Sequence, residues 1–535
     1  MIPRFGPRPL LLAALILAGC GSDSAAPPRD DGTTAPMAQG SRREQLYATH
    51  CATCHGTAGL GDGPAARYLF PKPRDFTKGL YKIRSTETGA LPADADLLAA
   101  ISNGMPGSAM ASFGWLPESD RKELVAHLRS LAVVTNEDGK KVNLWELRGE
   151  PRPIVVGAQP AMTRELLAKG AGAYLRMQCA TCHGAGGEGD GSSAKTLRDD
   201  WGYPTPPNNF TRGIYKGGGT DRDVYLRFST GMNGTPMPSF AKHLSDEERW
   251  ALVAYVRSLA GSSVAKQSTE GKLEAVRVDR IAENPFDPGW DKITGVAVAT
   301  MLAWQRQDKL DSVTVRAAHD GTSFALMLEW NDPTCDTFVL RPQDFADACA
   351  VQFALTPERG HFAMGEKNKS VNIWHWRMDR QMDIAKHIDL EDYFPGMVSD
   401  GYPFEHDYGK RMEGWPPDST VKPAQSQSKE FLSGWAAGNP ASNPNKTTAV
   451  QDLNAVGFGT LEPQKTEDQN VTGRGVWSMG RWRVVFVRTL AAKGEKDVKL
   501  SPGSTVDVAL AIWDGTARDR DGQKSVTVWQ KLDLK

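Results

Sequence analysis

Residues 178–191 read QCATCHGAGGEGDG, and residues 50–63 read HCATCHGTAGLGDG. Each stretch holds a Cys-x-x-Cys-His run, the attachment signature of c-type haem, in which two thiols add to the vinyl groups and the adjacent histidine becomes the proximal iron ligand. That reading assigns Cys51, Cys54 and His55 to one haem and Cys179, Cys182 and His183 to a second. A single run of this kind could be a zinc or redox site. Two in one chain, each followed by a methionine at matching distance, point to haem.

The surroundings repeat along with the motif. PRDFTKGLYK (73–82) matches NNFTRGIYK (208–216), and GMPGSAMASF (104–113) matches GMNGTPMPSF (231–240). From His55 to Met110 is 55 residues and from His183 to Met237 is 54, so this is a duplicated domain. Each copy ends in a stretch with an apolar face at helical spacing: Leu124, Val125, Leu128 and Leu131 correspond to Leu252, Val253, Val256 and Leu259. Ser245 to Glu248 supplies a capping box for the second.

Each copy offers two methionines. Met105 and Met232 follow a glycine that ends a helix and read as packing residues. Met110 and Met237 sit in more open loops, Met237 between two prolines that hold the chain extended, and read as the distal ligands. His50, His127 and His243 lack equivalents in the other copy and read as surface or packing side chains. The repeated pattern resembles class I cytochrome c, a small helical domain wrapped around haem, and Met110 and Met237 match the family's ligand position. Iron held by His and Met has no open coordination position, so it passes electrons and does not activate small molecules. A dihaem peroxidase, the catalytic alternative, would need one iron with a displaceable face.

The chain has 535 residues, 40% of them hydrophobic, which allows several cores and makes three domains the expectation. Lys plus Arg (63) nearly cancels Asp plus Glu (64), so no bulk field draws it to nucleic acid. The N-terminus carries Arg4 and Arg8, an apolar run from Leu10 to Leu17, and small residues before Cys20. It reads as an export signal over 1–19, and LAGC resembles the lipobox of bacterial lipoproteins, which implies acylation of Cys20. Residues 20–40 then form a flexible tether. The expected location is the periplasmic side or cell surface of a bacterial membrane, held by lipid. Cys335 and Cys349 remain, as a disulfide or as two free thiols.

The two haem domains are expected over 41–135 and 161–262, with linkers at 136–160 and 263–289. Beyond, the periodicity changes. SVTVRAAHDGTSFALMLEW (312–330) alternates on both sides of Asp320-Gly321, a hairpin signal, and RWRVVFVRTL, STVDVALAIW and KSVTVWQKLDL read as further strands. An all-β sandwich-like domain is expected over 290–535, with a loop-rich insertion over about 380–470. Eleven of the fifteen tryptophans lie in this tail and, spread over many strands, read as core.

At MLEWNDPTCD, HFAMGEKNKSVNIWHWRMD, GRWRVVFVRTL and AIWDGTARDRDGQKSVTVWQKLDL the tail resembles the haem-binding domain of the ethylbenzene dehydrogenase gamma-subunit family. The resemblance implies a non-covalent haem b held between Met364 and Lys524, with His361 and His375 as rival ligands, and a sandwich interior that buries the porphyrin. A lysine ligates iron only as the neutral amine. The resemblance also implies a partner, a molybdenum enzyme of the dimethyl sulfoxide reductase type with its iron–sulfur subunit. The whole chain reads as a membrane-anchored electron carrier with two haem c and one haem b. The alternatives are a catalytic haem enzyme and a dihaem cytochrome whose tail is a haem-free docking or carbohydrate-binding module.

Overall fold

The computed structural model describes residues 40–260, 268–306, 310–339, 341–385, 394 and 446–535. Cys20, the residues 1–19 read as an export signal and nearly all of the 20–40 segment read as a tether lie outside them, as does most of the segment read as an insertion.

Two helical bodies come first. The first uses helices Arg42–His50, Ala52–His55, Asp94–Asn103 and Glu118–Leu131; the second uses Arg164–Arg176, Cys179–His183, Asp221–Thr230 and Asp246–Leu259. The expected stripes face inward. Leu124, Val125 and Leu128 are buried in one core, Leu252, Val253 and Val256 in the other. Each contributes about 1.5–3 kcal/mol by leaving water. Ser245 Oγ accepts from the Glu248 amide while Glu248 Oε2 accepts from the Ser245 amide, so the capping box forms.

Part of the 136–160 segment is not a free linker. A hairpin of β1 (Val133–Thr135) and β2 (Lys141–Asn143) turns the chain back. Asn143 then caps the helix Leu144–Arg148, its Oδ1 accepting from the Trp145 amide at 2.9 Å. Leu144 and Trp145 are thereby buried in the first helical core.

The remainder is a 14-stranded sheet folded on itself as a sandwich. Its strands are β3 (Lys272–Arg277), β4 (Val296–Ala299), β5 (Met301–Leu302), β6 (Ser312–His319), β7 (Ser323–Asn331), β8 (Ala348–Ala354), β9 (Val371–Arg377), β10 (Val450–Ala455), β11 (Glu462–Pro463), β12 (Thr472–Ser478), β13 (Arg481–Thr489), β14 (Thr505–Trp513), β15 (Ser525–Val526) and β16 (Gln530–Leu534). The order along the sheet is β11-β10-β9-β8-β14-β16-β3-β6-β7-β13-β12. The β6–β7 hairpin forms where Asp320-Gly321 places it, with Asp320 Oδ1 accepting from the Thr322 and Ser323 amides.

Two expectations give way. β3 falls in the 263–289 segment read as linker, yet it lies inside the sheet, parallel to both β16 and β6. Leu273 and Ala275 are buried there on either side of Glu274, an alternation too short to stand out in sequence. β10, inside the range read as insertion, is likewise a strand buried along its length and paired with β9. The sandwich core takes Trp330, Trp374, Trp376 and Trp482, as their scatter over strands predicts.

Candidate haem sites

The duplication extends to the hydrogen bonds that orient each site. His55 Nδ1 donates to the Arg74 carbonyl at 3.0 Å, and His183 Nδ1 donates to the Asn208 carbonyl at 3.0 Å. Each ring stacks on a phenylalanine, Phe76 or Phe210, at 4.4 Å. Tying up Nδ1 fixes the tautomer and leaves Nε2 available to a metal. Burial holds both imidazoles below the usual histidine range, His55 down to about 4. A neutral ring is the form that binds iron.

The methionine loops repeat as closely. The Met110 carbonyl accepts from the Met105 amide at 2.9 Å, and the Met237 carbonyl accepts from the Met232 amide at 3.0 Å. Ser108 and Thr235 hydroxyls accept from the Met110 and Met237 amides. Met105 and Met110 both line the cavity of the first domain together with Cys51, Cys54 and His55. His50 packs against Trp115 with ring centroids 5.5 Å apart, and His127 against Tyr47 at 4.4 Å, in line with their reading as packing groups.

The tail has a second cavity, of about 890 Å³. It is not in the sandwich interior, where the sequence reading put it, because Cys349, Val351, Phe353, Trp374 and Trp376 fill that side. The opposite faces of the same strands line it instead: Ala348, Ala350 and Gln352 on β8, Ile373 and His375 on β9, and Ala509, Ala511 and Trp513 on β14. Period-two alternation thus splits these strands into a bulky face for the core and an alanine-rich face that leaves room for something flat. Residues of the first helical domain, Cys54, Leu69 and Ala109 among them, close the cavity from above.

Met364, His375 and Lys524 all line this cavity, and His361 lies at its boundary with the first domain. Met364 sits at φ 73°, in the left-handed region that methionine rarely adopts. Two bonds hold it there: its amide donates to Gln352 Oε1 at 2.8 Å and its carbonyl accepts from the Gly457 amide at 2.9 Å. The Lys524 ammonium lies 4.5 Å from the Trp513 ring centroid, and desolvation pushes it down to about 8. His375 is held well below the usual histidine range by burial, and its Nε2 has no hydrogen-bond partner among the described residues. His361 Nδ1 accepts from the Ala363 amide, so its Nε2–H faces Cys54 Sγ at 3.8 Å.

A haem fits both cavities on chemical grounds. Each combines apolar walls with nitrogen and thioether groups of the kind that bind haem iron: His55, Met105 and Met110 in the first, Met364, His375 and Lys524 in the second. Cys335 and Cys349 are not bonded to each other. Cys349 faces the sandwich core and Cys335 lies in an exposed loop, so both are free thiols.

Comparison with known proteins agrees with this division. Residues 42–132 and 167–260 match the cytochrome c family, and residues 287–525 match the ethylbenzene dehydrogenase family. A protein of Haloferax mediterranei named as a respiratory nitrate reductase haem subunit is 23% identical over 50% of this chain and 73% of its own length. The gamma subunit of chlorate reductase from Ideonella dechloratans is 27% identical over 45% of this chain and 69% of its own. The gamma subunit of dimethylsulfide dehydrogenase from Rhodovulum sulfidophilum is 25% identical over 46% and 74%. The chain is therefore composed of two cytochrome c domains, which imply covalent haem c, joined to an ethylbenzene dehydrogenase gamma-like domain.

Proposed function

We propose that this chain is an exported, lipid-anchored electron-transfer subunit that carries two haem c and one haem b and connects a molybdenum oxidoreductase, with its iron–sulfur subunit, to other carriers. The names of the relatives support the enzyme class. The observation that carries the reading is the contiguity of the two cavities: Cys54, Leu69, Ala109, His361 and Phe362 line both. Groups bound on either side of that wall would be separated by little more than side chains.

Haem supplies one-electron chemistry at its iron. In this reading Cys51, Cys54, Cys179 and Cys182 would hold the two covalent groups, His55 with Met110 and His183 with Met237 would supply their iron ligands, and Met364 with Lys524 would hold the third. A complete ligand set would leave no position for small ligands, and the apolar walls would exclude water. His375, buried and with no hydrogen-bond partner for Nε2 among the described residues, is the rival to Lys524.

Acidic acetone should extract one haem per chain and leave two. Met364→Ala combined with Lys524→Ala should abolish the extractable haem while both covalent haems remain. A fully loaded protein that releases no haem would reduce the tail to a docking module.

A further inference from the structure

Three cations converge on the cavity of the first cytochrome c domain, and one of them comes from the second domain. Arg74, Lys82 and Lys216 all line it. Lys82 and Lys216 are equivalent residues of the repeat, each following the tyrosine of GLYK or GIYK. Neither ammonium makes a hydrogen bond or ion pair with any described residue, and Arg74 only stacks over Trp201, at 4.2 Å. The other cations of this cavity are already satisfied: Arg359 pairs with Glu270 and Asp507, and Lys72 donates to the carbonyls of Ala66 and Arg67.

Asp199 lies near Arg74 and Lys82, but no carboxylate among the described residues is paired with any of the three, and cations held side by side away from water are costly unless an anion joins them. Desolvation, aided by the neighbouring cations and opposed at Lys82 by Asp199, pushes Lys82 down to about 7 and Lys216 down to about 8. Both are half-buried and line the cavity. The domain contact that delivers Lys216 is tight and specific. Gly217, the next residue, lies so close to Ile83 that a Cβ there would come within 3.1 Å of Cδ1. Arg84, fully buried, donates to the Thr230 carbonyl at 2.6 Å, and Arg227 donates to the Arg84 carbonyl at 2.6 Å. Lys216 is thus placed by a rigid interface rather than by chance.

We propose that Arg74, Lys82 and Lys216 form a carboxylate-binding subsite for the propionates of the first domain's haem, so that the second domain supplies a positioning residue for its neighbour's cofactor. The inference rests on the haem assignment above. A cation beside haem carboxylates favours the reduced, less positive iron. Its removal should therefore lower the potential of the haem in the other domain.

The test uses the full-length, haem-loaded chain with Lys216→Met and Lys216→Arg, in a Met237→His background that separates the two covalent haems by their ligation. Spectroelectrochemical titration should show the first domain's haem harder to reduce in Lys216→Met, its reduced-to-oxidised ratio at fixed ambient potential falling about tenfold, equal to about 59 mV for a one-electron couple. Lys216→Arg should restore it, and the second domain's haem should not move. A shift confined to the second haem, or no shift in either, overturns the inference. Fewer than two covalent haems in the parent chain would instead overturn the haem assignment on which it rests.

Discussion

Filling the alanine-rich face of β8 and β14 should expel the proposed non-covalent haem while leaving the fold in place. Ala350 and Ala511 are cross-strand partners in the sheet register, with Ala509 beside them on β14. All three line the tail cavity, and their neighbours Val351 and Leu510 fill the sandwich core. A phenylalanine at 350 or 509 would project its ring into about 890 Å³ of cavity, so the empty protein loses little. The loaded protein, however, would have to accommodate both ring and porphyrin. Overpacking of this kind costs roughly 1–3 kcal/mol per site. At 1.4 kcal/mol per tenfold, each single variant should weaken haem binding by about 5- to 150-fold. The double variant should do more, though not the sum, because the two sites share a cavity. Occupancy is read by acid–acetone extraction and affinity by Soret titration of the extracted protein, with the covalent haems as internal standard. Ala350→Phe and Ala509→Phe proteins that keep full haem b occupancy and wild-type affinity would show that the porphyrin does not lie on this face.

Two further outcomes are expected. Met110→Ala or Met237→Ala should each lower the potential of one covalent haem and allow cyanide to bind at that iron, because thioether ligation favours the reduced metal; unchanged spectra and potentials in both would return the assignment to Met105 and Met232. Cys20→Ser should block lipid attachment and maturation, and recovery of normally processed wild-type protein in the soluble periplasmic fraction would refute the anchor.

What the sequence made legible was local. A Cys-x-x-Cys-His run, an Asp-Gly turn between alternating strands and an apolar stripe on a helix each act within a few residues, and each forms where it is expected. What it hid was set by distant partners. β3 pairs with β16, which lies at the other end of the tail, and nothing in KLEAVR announces a partner so far away. The free thiols belong to the same class: Cys335 and Cys349 are near in sequence, but the pleat turns Cys349 into the core and away from the loop that carries Cys335. The cavity of the tail was misplaced for a related reason. Tryptophan and valine mark the densest part of a sandwich, whereas the space for a cofactor is marked by alanines, which in sequence look like ordinary strand residues.

That misplacement bears on why the tail has no attachment motif. A cofactor on the outer face of a sheet needs a cover, and the tail's own described residues furnish only part of one, through Phe362, Met364 and Phe458. The first cytochrome c domain supplies the rest. Leu69 and Ala109 reach into the cavity, the Phe70 amide donates to the Ala303 carbonyl at 3.0 Å, and the Gln305 amide donates back to the Phe70 carbonyl at 2.7 Å. Tyr68 stacks on Phe458 with centroids 5.3 Å apart. A noncovalent porphyrin between two such walls gains its affinity from apolar surface removed from water on both sides. Attachment at Cys54 and most of the cover over the proposed haem b site, Ala109 apart, therefore share one stretch of chain, residues 54 to 70, and the tail severed from that domain should hold haem more weakly than the intact protein.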